Sequence, residues 1–230
     1  MGSKFRIFYN YILVRLGIRD ILPSEYIKKV KVVENNDKLV RVDFNDDFVI
    51  DSSLSKPVYL RETVYNKLCE FAEQLKSRNL KIKLYDAYRS YENQEKSWQR
   101  RYSETKKQFP DLSEDEIARR TRLKVSKVTD KDNVGGHQTG GAIDITLVDE
   151  KMNELNMGTG YAIHNNKTKT NSSNLTREER NNRDYLVNSL KKLDFVNFPN
   201  EWWHFCYGDK MWAAYKFKKT CIYGYIEPKE

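Results

Sequence analysis

The sequence predicts an α+β fold, and three observations carry that prediction. Between Arg61 and Asn79 the apolar residues recur at helical spacing, with Val64, Leu68, Phe71 and Leu75 forming one stripe. Between Ile143 and Val148 the period drops to two. Ile143, Ile145 and Leu147 then face one way, and Asp144, Thr146 and Val148 the other. Helix-start signatures at Ser113-Glu114-Asp115-Glu116 and Thr176-Arg177-Glu178-Glu179 place further helices on either side of that strand. With 230 residues, one domain with a full core is expected.

In chain order, Phe5 to Leu16 is apolar but interrupted by Arg6, Asn10 and Arg15. The stretch is too short and too mixed to span a membrane, and it has no clean signal-peptide pattern. It reads as an amphipathic helix, so residues 1–56 are expected to be a segment packed on a domain formed by residues 57–230. A cytoplasmic location is the default, or the cell envelope if a leader has been removed. After the Arg61 helix, Leu80 to Tyr88 reads as a strand, with Ile82 and Leu84 alternating against lysines. Asp86 and Arg89 fall at its end. Ser90 is placed to cap a helix running to about Lys107, and a second helix starts at Ser113; the two form a polar, peripheral insertion.

Asn165 to Asn174 has loop composition, and its two glycosylation-type sequons, at Asn171 and Asn174, mean little without a secretory context. Thr176 opens a helix to about Lys192 that buries Leu186, Leu190 and Leu193. A strand is expected over Glu201–Tyr207, and the aromatic tail from Met211 to Tyr225 is expected to add another.

The formal charge of +8 fits a lysine-rich surface, and no nucleic-acid motif accompanies it, so no nucleic-acid partner is expected. Aromatic residues at 13% argue against disorder despite a mean hydropathy of -0.81. Cys69, Cys206 and Cys221 have unrelated spacings and no CxxC, which excludes a disulfide framework and a thiolate zinc site.

Two stretches carry the chemistry. Gly135 to Asp144 places His137 and Asp144 seven residues apart, with Gly140 and Gly141 allowing close backbone approach. About sixty residues later comes Glu201-Trp202-Trp203-His204. The first alone reads equally well as a surface loop entering a strand. Together they offer two imidazoles, a carboxylate ligand and a spare carboxylate. That set suits a catalytic zinc with three protein ligands and an open position. Glu201 and His204, three apart, cannot share a face of a straight strand, so a bend or a strand start is required at Glu201. His164 sits among polar loop residues and reads as a surface histidine. Trp202 and Trp203 read as packing around the site.

The first stretch fits the pattern (S/G)xHxxGxAxD and resembles the D-Ala-D-Ala metallopeptidase family. Glu201-Trp202-Trp203-His204-Phe205 is similar to that family's ExxH element in its dipeptidase form. Tyr85-Asp86-Ala87-Tyr88-Arg89-Ser90 is similar to its D(A/G)YR segment. Met157-Gly158-Thr159 and Tyr207-Gly208-Asp209 also resemble the dipeptidase branch, and the likeness runs in order from about Pro57 to Gly224. It implies a central, mostly antiparallel sheet with helices packed on one side. It implies one Zn2+ per chain, held by His137, Asp144 and His204, with Glu201 as general base. Arg89 is implied as the group that stabilises the oxyanion, and Asp86 orients Arg89 or binds the substrate amine. The implied partner is a small peptide ending in D-Ala, with no stable membrane insertion.

The D-Ala-D-Ala dipeptide is the first expectation. A carboxypeptidase trimming peptidoglycan stem peptides is the second, and an inactive metal-bound binding module the third. One departure bears on that choice. The dipeptidase branch usually follows Met-Gly-Thr with an x-Phe-Asp element whose aspartate suits a free amino group, whereas this chain has Gly160-Tyr161-Ala162. Either Asp86 or Glu154 replaces that charge, or length discrimination is weak.

Overall fold

In chain order, the computed structural model, which describes residues 3–43, 45–54, 57–122, 125, 127 and 135–228, contains α1 (Ser3–Arg15), α2 (Ser24–Lys28), β1 (Lys31–Val32), β2 (Leu39–Val42), β3 (Phe48–Ile50), β4 (Val58–Arg61), α3 (Glu62–Lys76), β5 (Leu80–Asp86), α4 (Tyr91–Gln108) and α5 (Glu114–Thr121). A single 3-10 turn, Gly136–Thr139, then leads into β6 (Ala142–Asp149). It is followed by α6 (Arg177–Lys192), β7 (Val196–Asn197), β8 (His204–Cys206), α7 (Lys210–Tyr215) and β9 (Thr220–Cys221).

Five strands form the central sheet in the order β3-β5-β6-β8-β7. Only the β3–β5 pair within it is parallel, so the sheet is mostly antiparallel, as expected. The alternation in β6 decides its faces. Ile143, Ile145 and Leu147 join Val64, Leu68 and Phe71 of α3 and Leu186 and Leu190 of α6 in one buried cluster. These two helices therefore cover the same sheet face. Burying each such side chain contributes about 1.5–3 kcal/mol, which is why period-two and helical patterns locate them so well. The other face carries Asp144 and Thr146, beside Lys83 and Tyr85 of β5.

The helix starts follow their caps. Ser90 Oγ accepts the Asn93 amide, Ser113 Oγ accepts the Glu116 amide, and Thr176 and Glu179 complete a reciprocal capping box. The tail adds its strand at β9, Thr220–Cys221, which pairs in parallel with β1; ahead of it lies α7, where Asp209 Oδ1 accepts the Trp212 amide at 2.7 Å and nucleates a helical turn. One expectation needs correction. The strand expected over Glu201–Tyr207 is confined to His204–Cys206, because Glu201 to His204 is spent on a turn.

Residues 31–61 supply four short strands that no sequence pattern marked. The helices α1 and α2 pack Tyr11, Val14, Tyr26 and Ile27 against a second cluster that includes Trp212, Cys206 and Cys221. Arg61 ties this N-terminal layer to the functional stretch. Fully buried, it donates from Nε to the Thr139 carbonyl at 2.7 Å and pairs with Glu34 at 3.0 Å.

Candidate active site

Three backbone devices bring the site residues together. First, β6 and β8 are in a register that sets Asp144 directly opposite His204, on the face away from the core. Second, the tight turn Gly136–Thr139 delivers His137 just before β6. Gly141 makes this possible: a Cβ there would lie 2.4 Å from the Tyr207 carbonyl oxygen, so no other residue fits. Third, a register shift in β5 between Leu84 and Asp86 re-aims the strand end and pairs Asp86 with Asp144.

A bend is present at Glu201. The His204 amide donates to the Glu201 carbonyl at 3.2 Å, and the Glu201 amide to Phe198 at 3.0 Å. Trp202 and Trp203 are buried inside this turn, with their rings edge to face at 5.4 Å.

His137, Asp144 and His204 each offer a ligand atom, and these atoms all lie within 4.8 Å of one another. His137 Nε2 is 3.5 Å and His204 Nδ1 2.8 Å from Asp144 Oδ1. Ligands at tetrahedral zinc distances sit roughly 3.3 Å apart, so two imidazoles and a carboxylate clustered this closely suit a small divalent cation. His137 Nδ1 lies 2.7 Å from the Ala87 carbonyl. A carbonyl can only accept, so Nδ1 carries a proton and Nε2 is the ring nitrogen turned to the site. Burial alone would raise the Asp144 carboxyl's pKa. The charge of His137 and hydrogen bonds from both imidazoles outweigh it and hold Asp144 well below the usual carboxylate range, ready to bind a cation.

Arg89 forms an ion pair with buried Asp86 and donates from Nη1 to Gln94 Oε1 at 2.7 Å. Gln94 Oε1 also accepts from Gln138 Nε2 at 3.0 Å, so helix α4 and the His137 turn share one network. Asp86 thus orients Arg89, and its other oxygen accepts the Ala87 amide. Glu154 lies in a different network, paired with Lys83 at 2.8 Å and accepting from the Tyr85 hydroxyl. Asp86 and Glu154, the two acids considered as replacements for the missing aspartate, are both engaged elsewhere. Ala162, at that position, has φ 56°, a left-handed backbone that asparagine or aspartate adopts more readily.

His137, Asp144, Glu201, His204, Arg89 and Tyr161 line one cavity of about 1350 Å³. Its lining also includes Arg100, Arg101, Arg119, Arg122 and Lys127; Arg101 pairs with Glu104 and Arg119 with Glu116. His164 is exposed at the rim with its ring 5.8 Å from Trp203, as its surroundings implied. Gln94, Gln138 and the Ala87 carbonyl carried no signal in the sequence, because their roles depend on neighbours distant along the chain. Tyr161 was visible only as part of the departure from the x-Phe-Asp element. Its hydroxyl donates to Asp144 Oδ2 at 3.1 Å, and burial together with the Asp144 charge keeps that hydroxyl protonated.

The profile of the D-Ala-D-Ala dipeptidases, peptidase M15, matches residues 56–222, well over half of the chain. The chain belongs to the peptidase M15 family. Among curated M15 relatives, the D-alanyl-D-alanine dipeptidase of Synechocystis sp. is 33% identical over 108 residues, 40% of this chain and 44% of the relative. That of Escherichia coli is 29% identical over 126 residues, 55% of this chain and 54% of the relative. The chain thus spans about half the length of the curated relatives it matches. Among solved structures, a variant of the vancomycin-resistance D,D-pentapeptidase VanY in complex with Zn(II) aligns with 85% of this chain and 96% of its own at 13% identity and a TM-score of 0.47. The LD-carboxypeptidase LdcB aligns with 83% and 79% at 18% identity and a TM-score of 0.45.

Glu201 lines the same cavity, and its electrostatics are distinctive. Burial pushes its carboxyl up from an ordinary 4.5 to about 6, against the lowering charge of His204. A carboxyl raised on folding favours the folded state most below its unfolded value, and that contribution is lost as pH rises through about 6. In the metal-free protein, Glu201→Gln removes the cost of a buried charge. The variant is therefore expected to gain about 2 kcal/mol over wild type at pH 8, a Tm rise of roughly 4–8 °C, and almost nothing at pH 4. Thermal unfolding at the two pH values checks this, and an equal shift at both would remove Glu201's burial as the cause.

Proposed function

We propose that the protein is a zinc-dependent peptidase that hydrolyses the bond between two D-alanine residues. The observation that carries this is the convergence of a His-Asp-His donor set, a carboxyl raised to about 6 and an oriented guanidinium in one cavity. His137, Asp144 and His204 would hold the zinc. When bound, it polarises the scissile carbonyl and eases deprotonation of a water. Glu201 takes the proton from the attacking water and returns it to the departing amine nitrogen, a task suited to a pKa near 6. Arg89, held in place by Asp86 and Gln94, donates to the carbonyl oxygen as it gains negative charge. With both Glu201 and Arg89 present and placed, an inactive binding module is the poorer reading. Amine release from D-Ala-D-Ala on titration of the metal-free chain with Zn2+ is the test; metal uptake without any hydrolysis would make the chain a binding module.

Substrate length is the second part of the reading. A strict dipeptidase needs a carboxylate for the free amine, since an acylated nitrogen then leaves that charge unpaired. Here Ala162 stands at that position, and Asp86 and Glu154 are engaged with Arg89 and Lys83. The dipeptide remains the first assignment, from the resemblance of Glu201–Asp209 and Met157–Thr159, but discrimination against longer peptides is expected to be weak. The ratio of kcat/KM for D-Ala-D-Ala to that for its N-acetyl form measures it. A ratio beyond about 10⁴ would require a dedicated carboxylate. A ratio below one favours the second assignment, a D,D-carboxypeptidase acting on stem peptides.

A further inference from the structure

We infer that Tyr161 is a positioning residue for the metal centre, holding the outer oxygen of Asp144 so that a single oxygen faces the two histidines. The inference rests on the metal site proposed above. Asp144 is buried, and its two oxygens have different surroundings. Oδ1 faces His204 Nδ1 at 2.8 Å and His137 Nε2 at 3.5 Å, whereas Oδ2 accepts from the Tyr161 hydroxyl at 3.1 Å. A carboxylate has about four lone-pair positions and can bind a cation through one oxygen or both. Satisfying Oδ2 removes the reason for the group to rotate and present both. It also avoids leaving a buried acceptor without a partner.

The hydroxyl can do this because its ring cannot move. The ring stacks on Tyr85 at 4.4 Å with planes 8° apart, and meets Trp203 edge-on at 5.7 Å. Tyr85 is itself buried within the core cluster, which holds its ring whether or not it carries a hydroxyl. The segment carrying Tyr161 is tied down on both sides by buried Arg183 of α6, which donates to the carbonyls of Met157, Lys167 and Lys169. Phenylalanine would keep the stacking and the edge contact and lose only the donor.

The test uses the full chain freed of metal and reconstituted with Zn2+, or with Co2+ as a coloured probe. Removal of a hydrogen-bond partner of a metal ligand typically lowers metal affinity by about 10–100-fold. Tyr161→Phe is therefore expected to weaken Zn2+ binding by at least roughly tenfold in competition with a chelator. It should also alter the visible spectrum of the Co2+ form, and leave the metal-free Tm within a few degrees of wild type. Tyr85→Phe removes a hydroxyl from the same stack without touching Asp144, so it should leave affinity and spectrum unchanged. Unchanged affinity and spectrum in Tyr161→Phe would overturn the inference. So would an equal loss in Tyr85→Phe, which would assign the effect to the aromatic stack. Failure of the wild type itself to bind either ion is a separate outcome that sinks the metal site, and the inference with it.

Discussion

Glu201→Gln is expected to bind zinc with near wild-type affinity, to remain folded, and to lose about 10²–10⁴-fold in kcat on D-Ala-D-Ala. The separation is possible because Glu201 lies in the same cavity as His137, Asp144 and His204 but outside that donor set. Its turn is fixed by backbone bonds, the His204 amide to the Glu201 carbonyl and the Glu201 amide to Phe198, that glutamine retains. Glutamine also retains size and polarity but cannot accept a proton near neutral pH. Arg89→Ala should lose about 10²–10³-fold, the usual effect of a missing oxyanion donor. It also strands Asp86, whose other contact is the Ala87 amide, so a modest loss of stability is expected alongside. Metal content, Tm and single-turnover hydrolysis measured on one preparation separate these effects; Glu201→Gln turning over at the wild-type rate would remove the general base from the scheme.

What the sequence disclosed and what it hid divide along a physical line. Helix α3, strand β6 and helix α6 were readable because one buried face imposes a period on the residues themselves, and because Thr176 and Glu179 satisfy backbone groups three residues apart. The His137, Asp144, Glu201 and His204 set was readable for a similar reason, since two local stretches each carry half of it. Strands β1 to β4 were not readable. They are two to four residues long, and two of their pairings are with distant segments: β1 meets β9 and β3 meets β5. Helix α7 was not anticipated, because aromatic residues such as Trp212 and Tyr215 favour strands, although Asp209 placed three residues before Trp212 was an available capping signal. The supports of the site were the least visible. Gln94 lies 44 residues from Gln138, and Arg61 lies 78 from Thr139, so no local window contains either pair. The ligands belong to local patterns, whereas the groups that orient them belong to the folded arrangement.

His204→Ala is expected to reduce zinc affinity by several orders of magnitude and bring hydrolysis to the uncatalysed level. Three protein ligands are the minimum for a catalytic zinc that keeps one position open, so loss of one leaves a pair that holds the ion weakly. The fold should survive better than the site. His204 Nδ1 has Asp144 Oδ1 as its partner, and the variant removes that contact while leaving the β6–β8 backbone pairing of Ile143 with Phe205 and Ala142 with Cys206 intact. Asp144→Ala should be equally severe for metal binding but costlier for the fold. It removes a buried acceptor that satisfies both the His204 ring and the Tyr161 hydroxyl, leaving two buried donors unpaired at about 1–3 kcal/mol each. The ordering of metal-free Tm values is therefore wild type, then His204→Ala, then Asp144→Ala, while both variants fail to retain zinc through dialysis. Full zinc content in His204→Ala would refute the ligand assignment. A metal-free Asp144→Ala as stable as wild type would show that the carboxylate does not bind the network together as its contacts require.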